Sequence, residues 1–280
     1  MPRAAPEDAP ACVERPVRRW SGGVWRADRD RLAEEVPIAL LYNGAPYAVM
    51  LATPRDLPDF ALGFSLTEGI VADAADFALR GIGERLAGLE LDCRVPPERA
   101  ARLDATRSLE GRTGCGLCGV RDLEHAVRWP NAVPRGVTTS SAAVQRALTA
   151  LTGDQVLNAL TGAVHGAAFA DAGGNVLLVR EDIGRHNALD KLVGALASAG
   201  IAAADGMIMV TSRASYEMVQ KAAAAGAGIL CAISAPTTLA VKMAESAGLT
   251  LIGFARRDSH VAYTHPWRLA DAELNGAAGK

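Results

Sequence analysis

The second half of the sequence alternates short apolar runs with amphipathic segments of helical length. The runs rich in strand-forming residues cover residues 176–180, 207–211, 229–234 and 249–254. The segments with apolar positions at helical spacing cover residues 142–151, 187–199, 216–225 and 237–247. Strands that alternate with helices indicate a largely parallel sheet with helical crossovers. The pattern therefore predicts an α/β fold for this half.

The first half of the sequence predicts a hairpin. Apolar runs over residues 36–42 and 46–52 flank the dipeptide Asn43-Gly44, which favours the tight turn between two antiparallel strands. The weaker predictions in this half are a strand and a short helix, over residues 90–95 and 99–104.

A helix is predicted directly after this hairpin, over residues 56–68. Pro58 suits the first helical turn, where a missing backbone N–H costs little, and Gly69 follows the last turn, where glycine is favoured. We expect the hairpin, this helix and the weaker strand to form a smaller α+β part.

A connector over residues 129–134 marks the division between the two halves, because it contains the prolines Pro130 and Pro134. We expect a flexible arm over residues 1–19, because this stretch is rich in Pro, Arg and Ala. The N-terminal part then covers residues 20–130, and the α/β domain covers residues 131–280.

Composition excludes several classes of protein. Half of the residues are hydrophobic, the net charge is −2 and the pI is ≈ 6.2, so neither a disordered chain nor a nucleic-acid partner is indicated. No apolar stretch approaches the roughly 20 residues that span a bilayer, so no membrane partner is expected. The five cysteines do not resemble the disulfide framework of a secreted protein, and this predicts a cytoplasmic location.

The glycine-rich segment over residues 111–119 carries two thiols. Cys115 and Cys118 have C-x-x-C spacing, four glycines lie within the same nine residues, and Arg112 is close by. Glycine leaves the backbone mobile, and nearby cations favour the thiolate, which is the nucleophilic form of cysteine. A mobile, partly cationic pair of thiols suits sulfur chemistry with a large partner better than it suits a buried structural link.

Zinc binding and thioredoxin-type exchange are the rival interpretations of these thiols. A structural zinc site needs about four ligands, and the sequence has neither a second C-x-x-C nor the H-x-E motif of zinc deaminases, so no metal site is predicted. A thioredoxin pair starts a helix, which Gly116 and Gly119 disfavour. The plainest alternative is a pair of ordinary surface cysteines.

Polar residues follow each predicted strand of the second half, over residues 181–186, 212–213, 234–236 and 256–257. Arg185, Arg213 and Arg256 lie at these strand ends. The first three of the four strand ends also lead into predicted helices, whose free backbone N–H groups attract anions. Arginine forks match phosphate oxygens. Because successive parallel strands end side by side, we expect these arginines to face one cleft that binds a phosphorylated ligand. The alternative is that they only serve as helix caps and ion pairs.

Three further features have simple structural interpretations. The charged residues within 181–191 fit an exposed helix start with ion pairs, and His165 fits a satisfied core histidine. Cys231 lies inside an apolar run and fits a small buried hydrophobe.

Four blocks of the sequence carry a family resemblance. They cover residues 36–70, 111–119, 180–191 and 212–256, in the same order as in that family. With these blocks the chain resembles the formate dehydrogenase accessory sulfurtransferases, the FdhD family. The set is far more specific than the C-x-x-C pair alone.

The resemblance implies a fold like the cytidine-deaminase α/β sandwich, with three layers and without the zinc motif, beside the smaller N-terminal α+β part. It also implies a sulfurtransferase. Such a protein takes sulfur from a cysteine desulfurase as a persulfide on Cys115, with Cys118 as its partner in the loop, and passes it to the cofactor of formate dehydrogenase.

The resemblance also implies a ligand and the segment that binds it. The ligand is the bis(molybdopterin guanine dinucleotide) form of the molybdenum or tungsten cofactor, bound as a substrate, and GDP is its expected analogue. The metal travels with the ligand, so the protein needs no metal site of its own. A homodimer is implied as well. The matching segment consists of Phe254, Ala255, Arg256, Arg257, Asp258 and Ser259.

A second function of a different class remains open. The protein could be a binding module, a chaperone that holds the cofactor or the formate dehydrogenase catalytic subunit without moving sulfur. The pair Cys115 and Cys118 favours sulfur transfer, because a chaperone has no need for two thiols in a glycine-rich segment.

Overall fold

Three sheets organise the part of the chain that the computed structural model describes, residues 11–103 and 127–272. Seven α-helices pack against two of these sheets, so the described residues form a mixed α/β architecture, as the sequence predicts. None of the helices in these residues is long and apolar enough to cross a membrane.

The N-terminal sheet is a long two-stranded hairpin. Strand β1 (Cys12–Ser21) pairs antiparallel with strand β2 (Val24–Ala33) over its whole length. The flexible arm predicted for residues 1–19 is therefore wrong from Cys12 onward, while residues 1–10 lie outside the described residues. Both faces of this hairpin are largely exposed, so the sequence lacks the alternation of apolar and polar positions that reveals a half-buried strand.

The second sheet forms the core of the N-terminal part, in the order β4-β3-β6-β5. Its strands are β3 (Val36–Tyr42), β4 (Ala45–Ala52), β5 (Ala78–Arg85) and β6 (Gly88–Arg94). The predicted hairpin is confirmed, because β3 and β4 pair antiparallel around Asn43 and Gly44, whose φ angles of 51° and 86° suit this tight turn. Strand β3 also pairs parallel with β6, in the position of the predicted weaker strand.

Two helices accompany this sheet. Helix α1 (Leu57–Thr67) confirms the predicted helix and buries Phe60 and Phe64 against the sheet. Helix α2 (Pro97–Ala100) begins earlier and ends earlier than the predicted short helix over residues 99–104. The helix begins earlier because Pro97 suits the first helical turn, where a missing backbone N–H costs little.

The third sheet is central and has six strands in the order β12-β11-β10-β9-β7-β8. They are β7 (His165–Asp171), β8 (Val176–Asp182), β9 (Gly206–Val210), β10 (Ile229–Ala232), β11 (Thr250–Arg256) and β12 (Ser259–Ala262). The predicted parallel pairing of strands is confirmed for β9, β10 and β11. Strand β7, however, is antiparallel to both of its neighbours, and β12 is antiparallel to β11. Strand β7 escaped prediction because it is rich in alanine and glycine, which strands disfavour.

Helices cover both faces of the central sheet. They are α3 (Ser141–Asp154), α4 (Val156–Thr161), α5 (Arg185–Ser198), α6 (Tyr216–Ala224) and α7 (Thr238–Ala247). Along β9, Ile208 and Val210 pack with α5, α6 and α7, whereas Met207 and Met209 pack with α3 on the opposite face. This alternation explains why the central strands read as continuous apolar runs.

The N-terminal part and the α/β domain meet where α1 crosses α5. A Cβ on Gly63 would lie 1.7 Å from the carbonyl oxygen of Asp190, and a Cβ on Gly194 would lie 1.9 Å from that of Asp59. The two helix backbones are therefore in direct contact, and any side chain at either glycine would force them apart.

Buried charges reinforce this junction. The Nζ of Lys191 lies 2.7 Å from a carboxylate oxygen of Asp182, and both side chains are fully buried. The backbone N–H of Thr53 donates to the same carboxylate at 3.0 Å, and Lys191 donates to the Thr53 carbonyl at 3.1 Å. The interpretation of residues 181–191 as an exposed helix start is therefore wrong for Asp182, Lys191 and the buried Asp190, because these residues pair across the junction.

Candidate functional site

One edge of the central sheet collects the residues that the sequence places at strand ends. Strands β8, β9, β10 and β11 all end at this edge, because β8 is antiparallel to β7, which is antiparallel to β9. Strands β7 and β12 begin there, and they bring His165 and Ser259 to the same edge. We call it the carboxyl edge.

The structure places the three predicted arginines along this edge rather than at one point. Arg185 follows β8, Arg213 follows β9, and Arg256 ends β11. Four strand spacings separate β8 from β11 in the sheet, which corresponds to about 19 Å. A ligand that contacted all three residues would have to be extended.

The predicted ligand segment begins with a distortion of β11. Phe254 has a φ of 49°, in the left-handed region that bulky residues rarely adopt, and the pairing of β11 with β12 shifts between Gly253 and Arg256. Phe254 is 39% exposed, and the Arg256 guanidinium lies 5.8 Å from the centre of its ring, whereas Ala255 is buried. The distortion turns an aromatic ring and a cation out of the sheet together.

The rest of this segment is an exposed turn held by one side chain of α3. Arg257 and Asp258 are almost fully exposed, and Ser259 opens β12. The Gln145 amide oxygen accepts from the backbone N–H of Asp258 at 3.1 Å, and its NH₂ donates to the Ser259 carbonyl at 3.2 Å. Gln145 therefore fixes the backbone of the turn while leaving its side chains accessible.

A charged cluster lies at the other end of the carboxyl edge, where α5 and α6 begin. His186 Nε2 and a carboxylate oxygen of Glu217 are 3.0 Å apart, and a guanidinium nitrogen of Arg185 lies 3.9 Å from the same oxygen. The hydroxyl of Ser215 donates to this oxygen at 3.3 Å. One carboxylate thus organises three polar side chains from two helix starts.

His165 joins this cluster from β7, opposite Asp182 in the strand register. Its partial burial lowers its pKa, and the positive charge of Arg185 and the neighbouring His186 lower it further. The interpretation of His165 as a core histidine is therefore wrong, because the antiparallel direction of β7 brings its first residue to the edge of the sheet.

Arg185 retains hydrogen-bonding capacity in this cluster. Its Nε is buried and has no hydrogen-bond partner among the described residues. A buried donor without an acceptor is costly, and an anionic oxygen would satisfy it. The cluster can therefore donate to an oxyanion at this end of the edge.

The two predicted reactive thiols, Cys115 and Cys118, lie outside the described residues. The described chain next to this segment is anchored at both ends. Leu103 packs against the core of the N-terminal part, and Arg128 donates to the carbonyl and the carboxylate of Glu68 at the end of α1.

The remaining cysteines divide by burial. Cys93 and Cys231 are buried, and this burial raises the pKa of each thiol to about 12. The prediction that Cys231 is a buried small hydrophobe is confirmed. Cys12 is half-buried at the base of the N-terminal hairpin.

Sequence reasoning gave no role to Glu217 or Glu68. Glu217 lies four residues before Lys221, a spacing that is too common on helices to indicate a site, and Glu68 has no charged residue within four positions of it in the sequence. Their partners, His186 and Arg128, are distant in the sequence, so only the fold reveals the pairs.

Comparison with known proteins gives a consistent set of matches. The model described as FdhD/NarQ family matches residues 33–270. A relative from Xanthomonas euvesicatoria pv. vesicatoria (strain 85-10), named Sulfur carrier protein FdhD, is 56% identical over 272 residues, which cover 97% of this chain and 96% of the relative. A relative of the same name from Cupriavidus necator is 54% identical over 254 residues, which cover 90% of this chain and 88% of the relative.

A solved structure shares the fold. It is the crystal structure of a formate dehydrogenase accessory protein from Desulfotalea psychrophila, with a TM-score of 0.72 and 21% sequence identity. The match covers 93% of this chain and 100% of that chain.

Proposed function

The chain belongs to the FdhD/NarQ family, and on this premise we propose that it is a sulfurtransferase that carries sulfur as a persulfide on Cys115. The sulfur comes from a cysteine desulfurase and serves the cofactor of formate dehydrogenase. In the loading step, the Cys115 thiolate attacks the terminal sulfur of the donor's persulfide. One S–S bond forms, the donor's S–S bond breaks, and the donor cysteine leaves as a thiolate, so no external oxidant is needed.

The observation that carries this proposal is the distribution of the thiols. Cys93 and Cys231 are buried with raised pKa values, which makes them poor nucleophiles at neutral pH. Cys115 and Cys118 share a glycine-rich segment next to arginine. Cys12 is half-buried in strand β1 and has no second thiol at C-x-x-C spacing. We therefore assign nucleophilic sulfur chemistry to Cys115 and Cys118, in a chain whose relatives are named sulfur carrier proteins.

The proposed acceptor is the bis(molybdopterin guanine dinucleotide) cofactor, which the protein binds as a substrate together with its metal. The carboxyl edge supports this proposal, because the buried Nε of Arg185 has no acceptor within residues 11–103 and 127–272, and the segment from Phe254 to Ser259 offers a ring and a guanidinium side by side. Phosphates and a guanine base need such groups. GDP is the corresponding analogue.

Further parts of the proposal concern architecture and partners. We assign the α/β domain to the cytidine-deaminase-like type of sandwich, supported by the six-stranded sheet with helices on both faces. The protein acts in the cytoplasm as a homodimer, with the desulfurase and the formate dehydrogenase catalytic subunit as its partners. In this proposal the N-terminal part supplies the glycine-rich segment with its two thiols, and the α/β domain supplies the carboxyl edge that binds the ligand.

A cofactor-binding chaperone is the second candidate function. The anion-binding groups of the carboxyl edge favour it, because they do not depend on any thiol. A chaperone would work without the Cys115 thiol, whereas a sulfurtransferase requires it.

Mass spectrometry after incubation with a desulfurase and cysteine tests the proposal. One added sulfur is expected on the peptide that contains Cys115, and Cys115→Ala is expected to abolish dehydrogenase maturation without loss of the fold. Cys12→Ala is the matched control and should mature the dehydrogenase normally, because Cys12 lies on the N-terminal hairpin. Full maturation by Cys115→Ala would favour the chaperone.

A further inference from the structure

The N-terminal hairpin, which we call the ribbon, carries an aromatic pair at its tip. Trp20 and Trp25 face each other in the register of β1 and β2, so their side chains share one face of the ribbon. Each is more than half exposed to solvent. Arg18 lies two residues before Trp20 and therefore belongs to the same face. Tryptophan and arginine are prominent among the side chains that anchor protein–protein interfaces.

The ribbon is basic, although the whole chain has a net charge of −2. Residues 12–33 contain six arginines and three carboxylates, which give a net charge of +3. The carboxylates are engaged within the ribbon. The Arg19 guanidinium lies 2.6 Å from Asp28 and 3.5 Å from Asp30, and Arg29 pairs with Glu14. The other four arginines are exposed and form no ion pair within residues 11–103 and 127–272; they are Arg15, Arg18, Arg26 and Arg31.

The base of the ribbon lies beside the carboxyl edge. Cys12 and Ala33, at this base, belong to the same apolar cluster as Val164 and Ile183. Val164 directly precedes His165 at the start of β7, and Ile183 directly follows the end of β8. A strand of ten residues extends roughly 34 Å. A protein that docks at this end of the carboxyl edge is therefore within reach of the ribbon.

The mixture of charges on the ribbon favours a protein partner. Nucleic acids and anionic membranes present closely spaced phosphates, which bind best to surfaces where cations are clustered. The three carboxylates of the ribbon lie among its arginines and would repel such phosphates. A protein with acidic side chains around an apolar pocket satisfies the free arginines and the two indole rings together.

We propose that the ribbon is a docking arm for an acidic protein that receives the ligand at the carboxyl edge. This inference rests on the proposed function, in which that protein is the formate dehydrogenase catalytic subunit. The rings of Trp20 and Trp25 enter an apolar pocket of this partner, and Arg18 pairs with carboxylates at the rim of the pocket. The other free arginines steer the encounter of the two proteins.

Titration of the purified formate dehydrogenase catalytic subunit with variants of the ribbon tests this docking. The double variant Trp20→Ser/Trp25→Ser should bind about tenfold more weakly or worse, because it loses both aromatic anchors. It should fold normally, because both rings are exposed. Arg18→Glu should slow association, and the difference from the wild type should shrink as salt is added.

Two substitutions elsewhere in the N-terminal part serve as matched controls. Leu86→Ser removes a fully exposed apolar side chain between β5 and β6, and Arg80→Glu reverses the charge of an exposed arginine in β5. Both should bind the catalytic subunit as the wild type does. Absence of binding by the wild type, wild-type affinity in the double variant, or equal losses in the controls would overturn the docking role.

Further measurements identify any other occupant of the ribbon. A halved mass of the free double variant in light scattering would assign the ribbon to a second copy of this chain, and slower loading of the Cys115 persulfide would assign it to the desulfurase. Wild-type binding to a DNA duplex or to phosphatidylserine vesicles that the double variant loses would assign it to phosphates. Each of these results would overturn the proposal.

Failure of docking is distinguishable from failure of the proposed function. A docking defect is one of affinity, so formate dehydrogenase maturation by the double variant should recover when its concentration is raised about tenfold. Lack of recovery would count against docking. Failure of the proposed function would instead appear as normal maturation by Cys115→Ala.

Discussion

Gly63 on α1 and Gly194 on α5 pack back to back where the two parts of the protein meet. A Cβ built on Gly63 would lie 2.7 Å from the backbone nitrogen of Gly194 and still closer to the Asp190 carbonyl. Close approach of two helix backbones needs glycine on both sides. It also allows the surrounding buried ion pairs to reach from one part to the other.

Gly63→Ala is expected to destabilise the protein by about 3 kcal/mol, because the added methyl group must displace backbone rather than a mobile side chain. Denaturant unfolding monitored by circular dichroism measures the change. Gly153→Ala is the matched control, since a Cβ there meets nothing within 4 Å, and its stability should be unchanged or slightly raised. Equal stability of the two variants would contradict the contact.

Lys191→Met is expected to cost about 3–5 kcal/mol of stability, because it leaves the fully buried Asp182 carboxylate without its cation. Arg19→Ala removes an ion pair with Asp28 on the exposed N-terminal hairpin and should leave the unfolding midpoint almost unchanged. Thermal unfolding of the two variants beside the wild type provides the comparison. A small effect at Lys191 would mean that Thr53, Asn187 and the backbone N–H of Gly184 satisfy Asp182 without the cation.

Acid should weaken the fold through Glu68. The pKa of Glu68 lies at about 2 in the folded state, below its ordinary 4.5, so its stabilising contribution is complete above about pH 5 and is lost as the pH falls towards 2. The shift corresponds to on the order of 3 kcal/mol. Unfolding free energies measured between pH 7 and pH 3 should fall less steeply for Glu68→Gln than for the wild type, and parallel curves would refute this assignment.

Arg256→Ala is expected to weaken GDP binding about tenfold or more, because a hydrogen bond to a charged group contributes on the order of 1.5–3 kcal/mol. Arg112→Ala, in the thiol segment, should bind GDP as the wild type does. Calorimetric titration of both variants makes the comparison. Unchanged affinity in Arg256→Ala would mean that the strand-end arginines serve only as caps and ion pairs.

The fold is predictable from the sequence where burial leaves a pattern of apolar positions. Strands β9, β10 and β11 are buried on both faces, so their continuous apolar runs were visible. The N-terminal hairpin has no buried face, and strand β7 is made mostly of small residues, so neither produces the period or composition of a strand. Physical exposure and small side chains account for these misses.

The candidate site was predictable in part for a related reason. Strand ends with arginines could be placed at one edge from the order of strands and helices, and Arg185 and Arg256 do lie there. The antiparallel insertion of β7 could not be foreseen, so the place of His165 at this edge was missed. The pairing of His186 with Glu217 depends on how α5 packs beside α6, which local sequence does not encode.

The exposed hairpin of β1 and β2 has a consequence for local dynamics. Its strands pair only with each other among the described residues, and Trp20 and Trp25 near its tip are 59% and 63% exposed. An isolated two-stranded ladder is marginally stable in water. Its amide hydrogens should therefore exchange with solvent by local opening, at free energies far below those of the central sheet, while the glycine contact of α1 and α5 stays closed.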